Sequence, residues 1–153
     1  MRFAHSVSIP VGRDVVWTFV TDLARVARCV PGVESVARVD GSDERYHGVM
    51  RVNLGPVRLA LEGDVSLARR DDDAREADLH VAAADVQAGG SVEADVHLRA
   101  TADDGGTKLH IETDARVMGR IGEFGQPIIK RKADQTMAEF AENLTRALAE
   151  ART

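Results

Sequence analysis

The chain has 153 residues, of which 44% are hydrophobic and 29% charged, and its formal net charge is −5. That size and balance suit one folded domain over residues 1–153 with a sizeable core, and the acidic sign removes the general electrostatic reason to bind nucleic acid. The sole cysteine, Cys29, excludes an internal disulfide and any zinc site built from several thiolates, and it fits a reducing compartment.

The N-terminus runs directly into alternating residues without a basic stretch and apolar signal core, so a cytoplasmic protein is expected. Its apolar runs fall far short of the ~20 residues that span a bilayer, which limits any expected membrane contact to the periphery. Phe3, His5, Val7 and Ile9 alternate with Ala4, Ser6 and Ser8, a first strand closed by Pro10. From Asp14 to Cys29 the period changes: Val16, Phe19, Val20, Leu23 and Val26 follow helical spacing, and Asp22 is placed as a cap, which predicts two short helices. Pro31-Gly32 ends them.

Between Glu34 and Met118 the period is two, with turn signals at Gly41-Ser42-Asp43, Gly55-Pro56, Asp71-Asp72-Asp73, Gly89-Gly90 and Asp103-Asp104-Gly105-Gly106. Six further antiparallel strands joined by hairpins are predicted, each burying one face. After Met118 the helical period returns, and one amphipathic helix over 120–150, roughly 45 Å long, is expected. The fold class is therefore α+β: a seven-stranded curved antiparallel sheet wrapped around a long C-terminal helix, with two short helices between strands 1 and 2.

A single helix cannot fill the concave face of so wide a sheet. Aromatic residues make up only 4% of the chain, and the inward positions include Gly48, Gly63, Ala77, Ala83, Ala94, Ala100 and Ala115. Two readings stay open: small side chains leave an apolar ligand pocket, or the sheet flattens and packs tightly.

His80, His97 and His110 fall on the polar faces of neighbouring strands, but Glu93, Asp95, Glu112 and Asp114 share that face, so a solvated surface is expected there and no metal site. No nucleophile elbow, phosphate loop or zinc-protease helix is present, and no catalytic residue is assigned. Cys29 reads as structural, since nothing near it in sequence supplies an electropositive setting, and Trp17 reads as a core cap. Gly119, Gly122 and Gly125, followed by Pro127, suit either a ligand portal or a close approach of helix to sheet. Lys130-Arg131-Lys132 is the densest basic run, diluted by nearby Asp134, Glu139 and Glu142.

Several segments together resemble the family of the carbon monoxide dehydrogenase subunit CoxG: Val15-Val16-Trp17-Thr18-Phe19, Cys29-Val30-Pro31-Gly32-Val33-Glu34, Val52-Asn53-Leu54-Gly55-Pro56-Val57, Glu62-Gly63-Asp64-Val65 and Val117-Met118-Gly119-Arg120-Ile121-Gly122-Glu123-Phe124-Gly125. The resemblance covers nearly the whole chain. It implies a helix-grip fold of the kind found in START-type lipid-transfer domains, plant pathogenesis-related ligand binders and polyketide cyclases.

It also implies a non-enzymatic accessory to a molybdenum hydroxylase-type dehydrogenase at the inner face of the membrane, with a greasy cavity suited to a menaquinone-like quinone or similar isoprenoid and no covalent cofactor. Family members proposed as anchors carry an extension after the long helix, whereas the sequence ends at Thr153, so reversible carriage is expected rather than anchoring.

The expected cavity wall is Met50, Val52, Leu59, Leu61, Val65, Leu79, Val81, Val96, Leu98, Ile111 and Val117 from the sheet, with Ile121, Phe124, Ile128, Met137, Phe140 and Leu144 from the helix. Gly119, Gly122 and Gly125 would form the portal. A cyclase- or dehydratase-like enzyme using the same cavity, with Tyr46 and Thr113 as its inward polar groups, and a ligand-free adaptor are the alternatives.

Overall fold

All seven alternating segments become strands of one antiparallel sheet: β1 (Arg2–Ile9), β2 (Val33–Arg38), β3 (Arg45–Leu54), β4 (Val57–Asp71), β5 (Glu76–Asp85), β6 (Gly90–Asp103) and β7 (Gly106–Gly119). The computed structural model describes residues 1–41, 44–85 and 87–152, with side chains as far as residue 150. Ser42 and Asp43 of the expected first hairpin turn lie outside the described residues, as does Thr153. The strand order is β1-β7-β6-β5-β4-β3-β2, so β1 and β2, consecutive in sequence, form opposite edges. The segment between them has to cross the sheet's full width. It does so as α1 (Arg13–Val20), α2 (Leu23–Val26) and a 3-10 turn over Ala27–Cys29. Asp22 is the expected cap, its side chain accepting from the Arg25 N–H at 3.4 Å.

The faces follow the alternation. Leu98 pairs with both Ala77 and Ile111, and Val96 with Leu79 and Thr113, giving continuous inward rows across the sheet. Gly48 and Gly63 face each other across β3 and β4, and Gly63 in turn faces Ala83. A Cβ on Gly63 would overlap the Ala82 carbonyl oxygen, and one on Gly48 would press on the Ser35 carbonyl. These glycines therefore let the strands bend and approach closely, and they do not open volume as the composition suggested. Ala77 and Ala100 are likewise enclosed, at 0% and 1% exposure.

The C-terminal helix starts later than its periodicity indicates. Residues Arg120–Phe124 form a 3-10 turn, Gly125 has φ 83°, and α3 runs from Gln126 to Arg152. Clustered glycines weaken the first turns of the expected helix, while Pro127 is tolerated in the first turn of α3 because its missing N–H has no partner there anyway. Two apolar clusters result. The larger joins Phe140, Leu144 and Leu148 of α3 to Val16, Trp17, Phe19 and Val20 of α1 and to Leu98, Leu109 and Ile111. The smaller packs Ile121 of the 3-10 turn against Leu54 and Leu59.

Leu144 is completely enclosed, whereas Ile128, one of the expected wall residues, is 43% exposed. Leu144→Ala is expected to cost about 2–5 kcal/mol in urea unfolding, and Ile128→Ala to stay within about 0.5 kcal/mol of the parent.

Candidate functional site: an apolar cavity under the long helix

The interior contains a cavity of about 190 Å³ between the sheet and α3. Leu79, Val96, Leu98, Leu109 and Ile111 form its sheet wall, Thr136, Met137 and Phe140 its helix wall, and Val20, Val26 and Val30 close one end. The wall is apolar apart from Thr136. Six of the expected wall residues meet here: Leu79, Val96, Leu98, Ile111, Met137 and Phe140. Sequence reasoning missed Val20, Val26 and Val30. The first two lay on the recognised helical stripe, but only the crossing of α1 and α2 over the sheet brings them to the cavity.

The remaining expected wall residues are placed elsewhere. Leu59, Ile121 and Phe124 line a second, open pocket of about 420 Å³ with Val57, Ala88, Arg120 and Glu123. Val52, Leu61 and Val117 pack behind it, Val65 and Leu144 belong to the larger core, and Met50 and Val81 line neither space. The three glycines stand at this second pocket's end of the sheet. Gly119 has φ 74°, and a Cβ there would overlap the Gly89 carbonyl; Gly122 lies over the Val117 carbonyl; Gly125, with φ 83°, turns the chain into α3. Close backbone approach and left-handed geometry thus account for Gly119 and Gly125.

Asp85, at the end of β5 near the second pocket, was not anticipated. It is buried and accepts from the N–H groups of Ala60 (2.8 Å) and Ala88 (2.9 Å), and those backbone bonds hold its carboxyl below the usual carboxylate range. Tyr46 is buried with the Arg38 guanidinium 6.0 Å from its ring, and Thr113 lines an open space of about 670 Å³ together with Phe3, Leu79 and Val96 and with the charged Asp78, Asp95 and Glu112. Cys29 is buried, and desolvation raises its thiol pKa, the setting of an unreactive thiol. Its carbonyl accepts from Asn143 Nδ2 at 2.9 Å, which ties α3 to the 3-10 turn. Trp17 is also buried and donates from Nε1 to Asp72 at 2.8 Å.

Charge is concentrated on the outer face. His47 is bracketed by Asp64 (2.6 Å) and Glu62 (3.3 Å), His80 by Asp95 (2.8 Å) and Glu93 (3.3 Å), and His97 by Asp78 (2.6 Å) and Glu76 (3.8 Å). Among the described residues no group of three or more His, Cys, Asp or Glu side chains is arranged to hold a metal ion. No helix among them is long and apolar enough to cross a membrane.

A family model described as the carbon monoxide dehydrogenase subunit CoxG matches residues 6–149. No curated protein matches the chain. Among solved structures, a conserved protein from Geobacillus kaustophilus superposes with a TM-score of 0.87 at 17% identity, covering 99% of this chain and 97% of that one. The Zhui aromatase/cyclase of Streptomyces sp. R1128 gives 0.68 at 13% identity over 100% and 96% of the two chains. Norcoclaurine synthase of Thalictrum flavum gives 0.66 at 16% over 100% and 96%. At these identities the likeness is one of fold.

Hydrogen bonds to Asp64 and Glu62 raise the His47 pKa, and burial lowers that of His110. In an NMR titration His47 is expected to titrate above the ordinary imidazole value of 6.5 and His110 below it. The His47 contribution is full below pH 6.5 and fades as pH rises through its folded pKa; protonation of His110 below 6.5 acts against folding. Asp64→Asn should bring the His47 pKa down.

Proposed function

We propose, because this chain belongs to the CoxG family of carbon monoxide dehydrogenase subunits, that it is a carrier for an apolar ring-bearing small molecule, a quinone or similar isoprenoid, serving a molybdenum-containing dehydrogenase. The observation that carries the reading is the cavity of about 190 Å³ with its nearly unbroken apolar wall. Such a wall offers a hydrophobic ligand about 25 cal/mol for each Å² of surface removed from water. An apolar cavity of about 150 Å³ stays dry and takes up benzene, so this one has room for a quinone ring. A long isoprenoid tail exceeds it and has to lie outside.

The same reading puts the protein in the cytoplasm, with transient contact at the inner face of the membrane. Met118 and Ile128 are exposed near the start of α3, where Lys130 and Arg131 are exposed too. An apolar tip beside cationic side chains suits anionic headgroups, at ~1 kcal/mol for each Lys or Arg near the surface. Lys130 also reaches Asp134 at 3.4 Å, which reduces its share.

Native mass spectrometry of the protein isolated from its own host, followed by organic extraction, should reveal a stoichiometric quinone or isoprenoid. In vitro, 2-methyl-1,4-naphthoquinone should quench the single Trp17 on binding. Val96→Phe, which fills the cavity from its sheet wall, should weaken uptake at least about tenfold while keeping stability within about 1 kcal/mol. A protein that is empty as isolated and refuses the added quinone would overturn the carrier reading in favour of a ligand-free adaptor.

A further inference from the structure

An open pocket of about 490 Å³ lies where the segment from α2 to its 3-10 turn meets the C-terminal half of α3. Arg25 and Arg28 line it from the first element and Arg146 from the second. Among the described residues Glu150 is the one carboxylate on its wall. The other charged spaces are balanced: Arg2 shares its space with Asp78, Asp95, Glu112 and Asp114, Arg120 with Glu123, and Arg45 with Asp64. In a chain with 25 Asp and Glu against 20 Lys and Arg, three arginines around one concave space are a local reversal of sign.

Arg45, Arg51, Arg69, Arg70, Arg75 and Arg116 each form an ion pair with a carboxylate. Arg25, Arg28 and Arg146 form none among the described residues. Neutral groups orient two of them instead. Arg25 lies over the buried Phe19 ring, its Cζ 4.5 Å from the centroid, and Arg146 Nη1 donates to Asn143 Oδ1 at 3.5 Å, while Asn143 Nδ2 donates to the Cys29 carbonyl at 2.9 Å. These contacts position the guanidinium groups without neutralising them. Three like charges around one space repel one another; a doubly charged oxyanion turns that repulsion into attraction and meets the planar donor forks that guanidinium offers. We propose that this pocket is a phosphate site, in which Arg25, Arg28 and Arg146 hold the phosphate or diphosphate group of a ligand. The site is independent of what fills the apolar cavity, although Val26 and Val30, which close one end of that cavity, belong to the same segment as Arg25 and Arg28, so a bound phosphate would tie this wall to α3.

The test measures pyrophosphate binding to the full chain by calorimetry at low ionic strength, where contacts of exposed charges are least screened. Arg28→Gln and Arg146→Gln should each weaken binding about tenfold, the loss of one charge-assisted hydrogen bond. Arg58→Gln removes the same charge from an exposed position on β4 outside the pocket and should change affinity by no more than about twofold. In the parent protein, which needs no substitution, the side-chain ¹⁵N resonances of Arg28, Arg146 and Asn143 should move on adding pyrophosphate, and that of Arg58 should stay in place. A soluble phosphorylated compound and a phospholipid headgroup share this chemistry, and cosedimentation with phosphatidylglycerol vesicles separates them: Arg28→Gln and Arg146→Gln leave it unchanged for a soluble ligand and lower it about fivefold each for a headgroup.

A parent protein that does not bind pyrophosphate, or binding that Arg58→Gln weakens as much as Arg28→Gln does, overturns the phosphate site and leaves the carrier reading standing. Uptake of 2-methyl-1,4-naphthoquinone by Arg146→Gln should match that of the parent, so the two readings fail separately.

Discussion

The interior is governed by a mismatch of widths. Seven strands at about 4.8 Å spacing make a sheet roughly 29 Å across, and one helix with its side chains covers about 10–12 Å of it. The 27 residues of α3 therefore cannot close the concave face alone. The remaining surface is covered by α1 and α2, which cross from edge to edge because β1 and β2 are the two outer strands, and by the 3-10 turn before α3, which seats Ile121 on Leu54 and Leu59. The volume that none of these reaches is the cavity.

Because that volume is bounded almost wholly by apolar side chains, the few polar groups of the interior carry unusual weight. Thr21, Thr107 and Asp85 each bind backbone groups and serve the chain itself, satisfying atoms that would otherwise be costly to bury. The pair formed by His5 and Asp134 differs, since the imidazole Nδ1 is buried without a hydrogen-bond partner. On the opposite face, His47, His80 and His97 are held between carboxylates in solvent, where such pairs contribute little to stability. Three similar-looking histidines on the outside and one on the inside thus do different physical work, and burial separates them.

The comparisons fit this division between container and contents. An aromatase/cyclase and a synthase share the backbone arrangement at 13% and 16% identity, a likeness of fold that carries no function with it. Membership of the CoxG family comes from the chain's own sequence over 6–149 and does not depend on that shared shape.

Much of this protein was legible in the sequence because period and punctuation are local. Alternation from Glu34 to Met118 specified the strands and which face each would bury, the return to helical spacing specified α3, and Asp22 marked a real cap. What stayed hidden depended on distances between elements. The expected wall divides between two spaces because the 3-10 turn at Arg120–Phe124 packs separately, whereas the helical period had run through it without a break. The glycines read as space proved to be contacts, since a missing Cβ leaves either a void or room for a neighbour's backbone, and only the neighbour decides which. The alternation put His5 on one side of β1 with Phe3, Val7 and Ile9, yet its hydrogen-bond partner Asp134 lies 129 residues away. Periodicity tells which side of an element is buried; what that side meets, and which polar atom is left without a partner there, is set by packing between segments far apart in the chain.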